Sequence, residues 1–296
     1  MENKLMLIIN PAAGRGAYKT NLPDALQLLD QGGCRPTVFF TAARGDATRF
    51  AAEHGAEYDV VACIGGDGTL SEVLAGLMRL EKRPRVGYIP MGTTNDVATT
   101  LDLPKNDVIG AARRILTGTP HPFDVGGFGE KEYFAYIAAF GMFTEVSYAT
   151  PQTQKKTWGH LAYVLQGMAQ LPKIEAVSAR VEYDGGTAEG RFLYGSMSNS
   201  TSVAGILRLK EEMVSLGDGQ SELVLVREPQ SLDGFGAILS SAITQTFDCP
   251  DLLILHTTKA KFSFDKPVPW TRAGEDGGSH TELTLRNCPA PVELIF

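Results

Sequence analysis

The chain has 296 residues, 43% hydrophobic and 21% charged, with a formal net charge of −7. This length accommodates two domains of ordinary size, and the composition is that of a chain with a packed core rather than a disordered one. The acidic balance excludes a broad basic footprint for nucleic acid and leaves only a local basic patch as a route to an anionic membrane surface.

Strand-like and helix-like segments alternate along the first 120 residues. Residues 4–9 are a short apolar run, read as a strand; it is too short for a signal peptide's apolar region, and Asn10-Pro11 ends it. Residues 22–29 carry Leu22, Ala25, Leu26 and Leu29 at helical spacing. Residues 37–41 are β-rich, and Asp46 is placed to cap a helix running to residue 53. Residues 59–64 form an apolar strand that stops at Gly65. Residues 69–80 put Leu70, Val73, Leu74 and Leu77 on one helical face. A strand over 86–89 and helices over 95–101 and 108–116 follow. Such alternation implies parallel βαβ units.

The pattern changes at Thr119-Pro120-His121-Pro122. Beyond it the predicted strands are 133–140, 176–183, 191–197, 222–226, 252–255, 261–264 and 281–286, with helices over 161–171 and 232–247. The chain therefore divides into an α/β domain over 1–120 and a mainly β domain over 121–296, with a cleft between them as the expected ligand site. No run approaches the roughly 18 apolar residues of a membrane span. A cytoplasmic protein is predicted, with peripheral docking at the inner face of the membrane as the remaining option. Cys34, Cys63, Cys249 and Cys288 form no CxxC pair and read as reduced structural thiols. The five histidines lack zinc-ligand spacing.

Three loops after strands carry the chemistry. Gly65-Gly66-Asp67-Gly68-Thr69 lies between a strand and a helix. Its glycines allow the backbone close to phosphate oxygens, and the following helix N-terminus adds partial positive charge. Asp67 would repel a polyphosphate unless a Mg²⁺ ion bridged them. Pro90-Met91-Gly92-Thr93-Thr94-Asn95-Asp96 and Asn10-Pro11-Ala12-Ala13-Gly14-Arg15-Gly16 also follow strands. Parallel strands end at one sheet edge, so all three loops can face one crevice. Neither a Walker A sequence nor GxGxxG is present.

Gly65 to Glu72 resembles the GGDGT-x-x-E motif of diacylglycerol and sphingosine kinases. Asn10-Pro11 with Gly14, Thr41 before Gly45-Asp46-Ala47, and Gly92-Thr93-Thr94-Asn95-Asp96 resemble that family's other nucleotide motifs, in the same order. The stretches 133–136, 140–146, 150–152 and 159–163 are similar to a Gram-positive-type branch. The resemblance covers nearly the whole chain. It implies a bacterial lipid kinase of the NAD kinase/diacylglycerol kinase-like fold. That fold has a doubly wound Rossmann-like nucleotide domain followed by a β-sandwich. ATP and Mg²⁺ are the implied cofactors, and a lipid hydroxyl at the membrane surface is the implied acceptor, diacylglycerol by default. No nucleic-acid partner is implied, and a homodimer is compatible with the family. The competing readings are an NAD kinase-like enzyme acting on a soluble acceptor, and a nucleotide- or lipid-binding protein with impaired turnover.

Carried over residue by residue, the resemblance implies that Asn10, Pro11, Gly14, Thr41, Gly65, Gly66, Asp67, Gly68, Thr69, Glu72, Gly92, Thr93 and Asn95 bind ATP. Asp67 and Asp96 would lie near the phosphates and metal. Asp124 matches an acidic position at the domain junction, or is a strand-end aspartate. Asp218, with the carbonyls of Ser215 and Gln220, matches a structural Mg²⁺ site; Asp218-Gly219 also reads as a hairpin turn. The family usually carries Asp-Gly-Glu near its C-terminus as the catalytic acidic pair. Here the matching residues are Ala273-Gly274-Glu275, followed by Asp276. A carboxylate can accept the proton of an attacking hydroxyl, whereas alanine cannot. Three readings stay open: Glu275 or Asp276 serves as base, the enzyme is impaired, or Ala273 is an inactivating replacement. The catalytic candidates are Glu275, Asp67, Asp96 and Asp124.

Overall fold

The structure, a computed structural model, describes residues 3–93, 95–141, 175–199, 202–203, 207–208, 215–244 and 246–296. The helix expected over 161–171 and the quoted stretches 142–146, 150–152 and 159–163 lie outside the described residues, as does Thr94.

The first region follows the expected alternation. Strand β1 (Asn3–Ile9) is followed by α1 (Leu22–Gln31), β2 (Cys34–Phe40), α2 (Asp46–His54), β3 (Val60–Gly65) and α3 (Asp67–Leu77). Then come β4 (Arg85–Pro90), α4 (Asp96–Thr100) and α5 (Val108–Thr117). Leu5 to Ile9 and Val61 to Ile64 are fully buried, the signature of parallel strands covered on both faces. β1 pairs in parallel with β2 on one side and β3 on the other, and β3 pairs in parallel with β4. The chain thus reverses its direction of winding at β1. Crevices at such a switch point, outside the carboxyl ends of the strands, are where α/β sheets bind ligands.

The second region is strand-rich. It comprises β5 (Pro120–Phe128), β6 (Glu132–Phe134), β7 (Ile137–Gly141), β8 (Val177–Tyr183), β9 (Gly186–Ser198), β10 (Ser202–Val203) and β11 (Leu207–Arg208). β12 (Ser221–Arg227), α6 (Leu232–Thr244), β13 (Leu252–Thr257), β14 (Lys259–Arg272) and β15 (Glu275–Ile295) complete it. Two expectations are refined here. The run 133–140 is two strands, and residues 120–122, where the pattern changes, begin β5, a strand not among those expected. β6 covers β5 only at residues 126–128, so Pro120 and Pro122 face an open edge where a missing N–H removes no ladder bond.

β15 joins the two regions. It leaves the β14 hairpin, runs antiparallel to β5 from Leu285↔Phe128 to Ile295↔Pro120, and places Leu294 in parallel beside Val86 of β4. One hydrogen-bonded sheet therefore passes from the first region into the second, and the last residues of the chain complete the first region's sheet. Among the described residues, no helix is long and apolar enough to cross a membrane.

The second region's core is aromatic. Trp270 is 1% exposed, with its ring 5.0 Å from those of both Phe140 and Phe262; Phe264 lies 5.1 Å from Phe140. Truncating such a ring leaves a cavity that the rigid sheet cannot close. Trp270→Ala should therefore cost about 3–5 kcal/mol in urea unfolding followed by far-UV circular dichroism. A loss below about 1 kcal/mol would show that the cluster is not a principal support.

Candidate active site

Three loops meet at the carboxyl ends of β1, β3 and β4 through their backbones. A Cβ on Gly14 would stand 2.7 Å from the Met91 carbonyl oxygen, and one on Gly92 would stand 2.5 Å from Gly66 Cα. Only glycine permits these approaches, so the glycines serve loop-to-loop packing as well as any ligand. Gly14, Arg15 and Gly16 all have left-handed φ, of 56°, 55° and 77°. Asn10 Nδ2 donates to Thr69 Oγ1 at 3.2 Å, and Asn10 Oδ1 accepts from Ala12 N. Thr41 lies beside this pair, its hydroxyl 3.4 Å from the Ile9 carbonyl. Pro11 and Thr93 are exposed at the rim.

Asp67 is buried and ties two loops together. Its Oδ2 accepts from Asp96 N at 2.8 Å, and its Oδ1 from Val97 N at 3.2 Å and Tyr88 Oη at 3.4 Å. It thereby caps α4, a role no motif announced. Burial is the largest influence on its carboxyl and raises its pKa, opposed by the two N–H donors and Tyr88. Asn95, at φ 52°, folds its amide back onto Gly92, accepting from Gly92 N and donating to Gly92 O, both at 2.9 Å. Glu72 accepts from Gly45 N at 2.9 Å and Ala47 N at 3.2 Å, so it caps α2. Among the sequence-predicted residues, then, Asp67, Glu72 and Asn95 spend their side chains on the loops themselves.

Glu275 reaches this crevice from the far end of the sequence. A Cβ on Gly68 would lie 3.0 Å from Glu275 Oε1, and Glu275 Oε2 pairs with Arg44 at 2.8 Å. A cavity of about 120 Å³ opens beside Gly68 and Glu275, bounded also by Glu72, Tyr133 and Arg272. Asp276 is exposed on the other face of β15 and accepts from Gly278 N at 2.8 Å. Two residues at this site carried no spacing signal: Arg44, and Tyr136, whose acidic neighbours are Asp67, Asp96 and Glu275.

Asp124 and Asp218 lie together, away from Glu275. Asp124 is fully buried; its Oδ2 accepts from Gly219 N at 2.6 Å and Asn287 Nδ2 at 3.2 Å. Asp218 is exposed and accepts from Gln220 N at 3.0 Å, while the Gln220 carbonyl turns inward to Asn287 Nδ2 at 2.6 Å. Ser215 is exposed beside them. Among the described residues, Asn199 Oδ1 and Asn287 Oδ1 are buried here without hydrogen-bond partners. Asp124 thus fastens the 216–220 turn. Among the described residues, no group of three or more His, Cys, Asp or Glu side chains forms a metal cluster.

Glycine-rich loops, a helix N-terminus and a carboxylate brought over them define a phosphate-handling enzyme. The comparisons give the family. Residues 4–128 match the family model of the diacylglycerol kinase catalytic domain. The diacylglycerol kinase of Bacillus subtilis (strain 168) is 32% identical over 273 residues, covering 92% of this chain and 89% of that one. The diacylglycerol kinase of Staphylococcus aureus (strain NCTC 8325 / PS 47) is 38% identical over 243 residues, covering 82% and 76%. A crystal structure from Bacillus anthracis strain Sterne has the same fold, with a TM-score of 0.81 at 24% identity over 99% of this chain and 95% of that one. A diacylglycerol kinase structure from the same strain gives 0.74 at 22%, over 99% and 97%. The chain belongs to the diacylglycerol kinase family, a family of lipid kinases.

The hairpin carrying Glu275 is under backbone strain. Arg272 pairs with Glu275, leaving Ala273 and Gly274 as a two-residue turn with φ of 50° and 81°. Positive φ at both positions favours Asn-Gly or Asp-Gly, and alanine is poor at the first. Ala273→Gly should therefore raise stability by about 1 kcal/mol in equilibrium unfolding. No gain would mean that the hairpin is held by its ladder regardless of the turn residue.

Proposed function

We propose that this protein is an ATP- and Mg²⁺-dependent kinase that transfers the γ-phosphate to the hydroxyl of a lipid, with diacylglycerol as the first candidate. The observation that carries this reading is Glu275, a carboxylate delivered by β15 onto Gly68, the residue where a phosphate chain would lie. The backbone loops 10–16, 65–69 and 91–95 supply N–H donors and a helix N-terminus for the phosphates. Asp96 and the remaining lone pair of Asp67 offer oxygen ligands that fit Mg²⁺, which would neutralise charge on the phosphate oxygens. The neutral acceptor would meet Glu275 at the crevice while its acyl chains stay with the membrane, so the protein works as a peripheral enzyme at the inner face.

Turnover is read by transfer of γ-labelled ATP into a panel of vesicle-borne lipids, with separation of the products. Label in a neutral lipid alcohol supports the proposal. Label only in soluble acceptors points to an NAD kinase-like activity, and Mg·ATP binding without transfer points to a binding protein. Glu275→Gln should lower lipid phosphorylation by about 10²–10⁴-fold, the usual weight of a general base. Ala273→Asp should raise turnover while Mg·ATP affinity stays nearly constant. If neither substitution changes the rate at saturating lipid and Mg·ATP, the acid on this hairpin is not the base.

The loops give a second expectation. Gly92→Ala would force the Gly66 and Gly92 backbones apart. Mg·ATP affinity measured by calorimetry should fall at least tenfold, and an unchanged affinity in a folded variant would remove these two loops from the nucleotide site.

A further inference from the structure

Tyr136 belongs to none of the nucleotide loops, yet the backbone around it is pinned to both walls of the crevice. Ala135 N donates to Ser71 Oγ of α3 at 3.2 Å. Asn199 N donates to the Tyr136 carbonyl, and Ala273 N to the Ile137 carbonyl, both at 2.8 Å. The side chain is 8% exposed, and a Cβ on Gly274 would stand 3.6 Å from Tyr136 Oη. The phenol thus reaches the tip of the hairpin that carries Glu275. Among the described residues, nothing accepts a hydrogen bond from it, so the hydroxyl is left for solvent or a ligand.

The surroundings say what the partner is. A phenol is protonated at neutral pH, so Tyr136 is a neutral donor. Glu275 lies on the same hairpin as Gly274, so an acceptor group with a proton to give suits this spot better than one carrying its own negative charge. An alcohol has one proton to give and lone pairs to receive one. Glu275 Oε1 can take the first role, since Arg44 engages Oε2, and Tyr136 Oη supplies the second.

We propose that Tyr136 and Glu275 form a two-point cradle for the hydroxyl of an uncharged acceptor alcohol. Tyr136 Oη donates to the hydroxyl oxygen and turns its proton toward Glu275. In the transfer, the alcohol oxygen bonds to the γ-phosphorus of ATP. The bond from that phosphorus to the bridging oxygen breaks, with its electron pair leaving on ADP, and the alcohol proton passes to the Glu275 carboxylate. The cradle rests on the lipid kinase reading and adds an acceptor-orienting residue and a neutral head group to it.

The experiment compares wild type with Tyr136→Phe, using γ-labelled Mg·ATP and phosphatidylcholine vesicles containing dioleoylglycerol. Losing one such hydrogen bond should lower kcat for lipid phosphorylation about 10- to 100-fold and raise the KM for the lipid. The KM for Mg·ATP and the melting temperature should hold, and less phospholipid should form per ATP consumed. A purely structural tyrosine would not move that ratio, so an unchanged ratio overturns the cradle. A second variant with 3-fluorotyrosine at 136 keeps both shape and hydroxyl. It should phosphorylate lipid within about threefold of wild type, and a loss as large as that of phenylalanine overturns the proposal. If wild type itself transfers no label to any lipid, the lipid kinase reading fails and the cradle falls with it.

Discussion

The hydrogen bonds from Asp96 N and Val97 N to the Asp67 carboxylate hold the site's geometry. They cross between two loops that are 29 and 30 residues apart in sequence and fix the N-terminus of α4 against that of α3. The glycine contact of Gly66 with Gly92 and the inward amide of Asn95 follow from this tie, because the loops can close only when the carboxylate satisfies the α4 donors. Asp67 is therefore structural in this state, and a metal or nucleotide would have to share a carboxylate that already accepts three hydrogen bonds.

The second constraint is the length of β15. Its 21 residues begin with Glu275 at the crevice and end with Leu294 and Ile295 inside the first region's sheet. Placing the acid and anchoring the C-terminus are tasks of one strand. Its register against β5 shifts between Cys288 and Val292, where Pro289 and Pro291 lack N–H groups for a ladder. A continuous sheet of this kind makes the two regions mechanically coupled at the floor of the crevice. The Arg44–Glu275 pair adds a contact across its mouth, with Arg44 exposed and Glu275 partly so, and hence of small energetic weight.

Much of the fold was legible because local patterns coincide with elements. The apolar run 4–9, the helical face of Leu70, Val73, Leu74 and Leu77, and the stop at Gly65 all reappear with bounds moved by one to three residues. The nucleotide loops were legible too, since glycine, asparagine and aspartate after a strand report a backbone need rather than a distant contact. β5 was not legible, because Pro120 and Pro122 read as punctuation when only half the neighbouring edge was unpaired. Arg44 gave no signal, and Tyr136 appeared only within the stretch 133–136 that resembles the family, with no role attached. An aromatic in an apolar run and an arginine in a loop have many uses, and their use here is set by partners 138 and 231 residues away.

The sequence by itself determined the alternation of βαβ units and the three loops at one sheet edge. Each is a local property of residue type and spacing. Only the tertiary structure decided that Asp67, Glu72 and Asn95 turn inward as caps and clasps. It also decided that Asp124 fastens the 216–220 turn rather than facing Glu275, and that Glu275 lies on Gly68. The physical reason is that a carboxylate or amide has several equivalent lone pairs and donors to offer. Which partners claim them depends on the backbones that the sheet brings within hydrogen-bond reach, and no spacing along the chain records that.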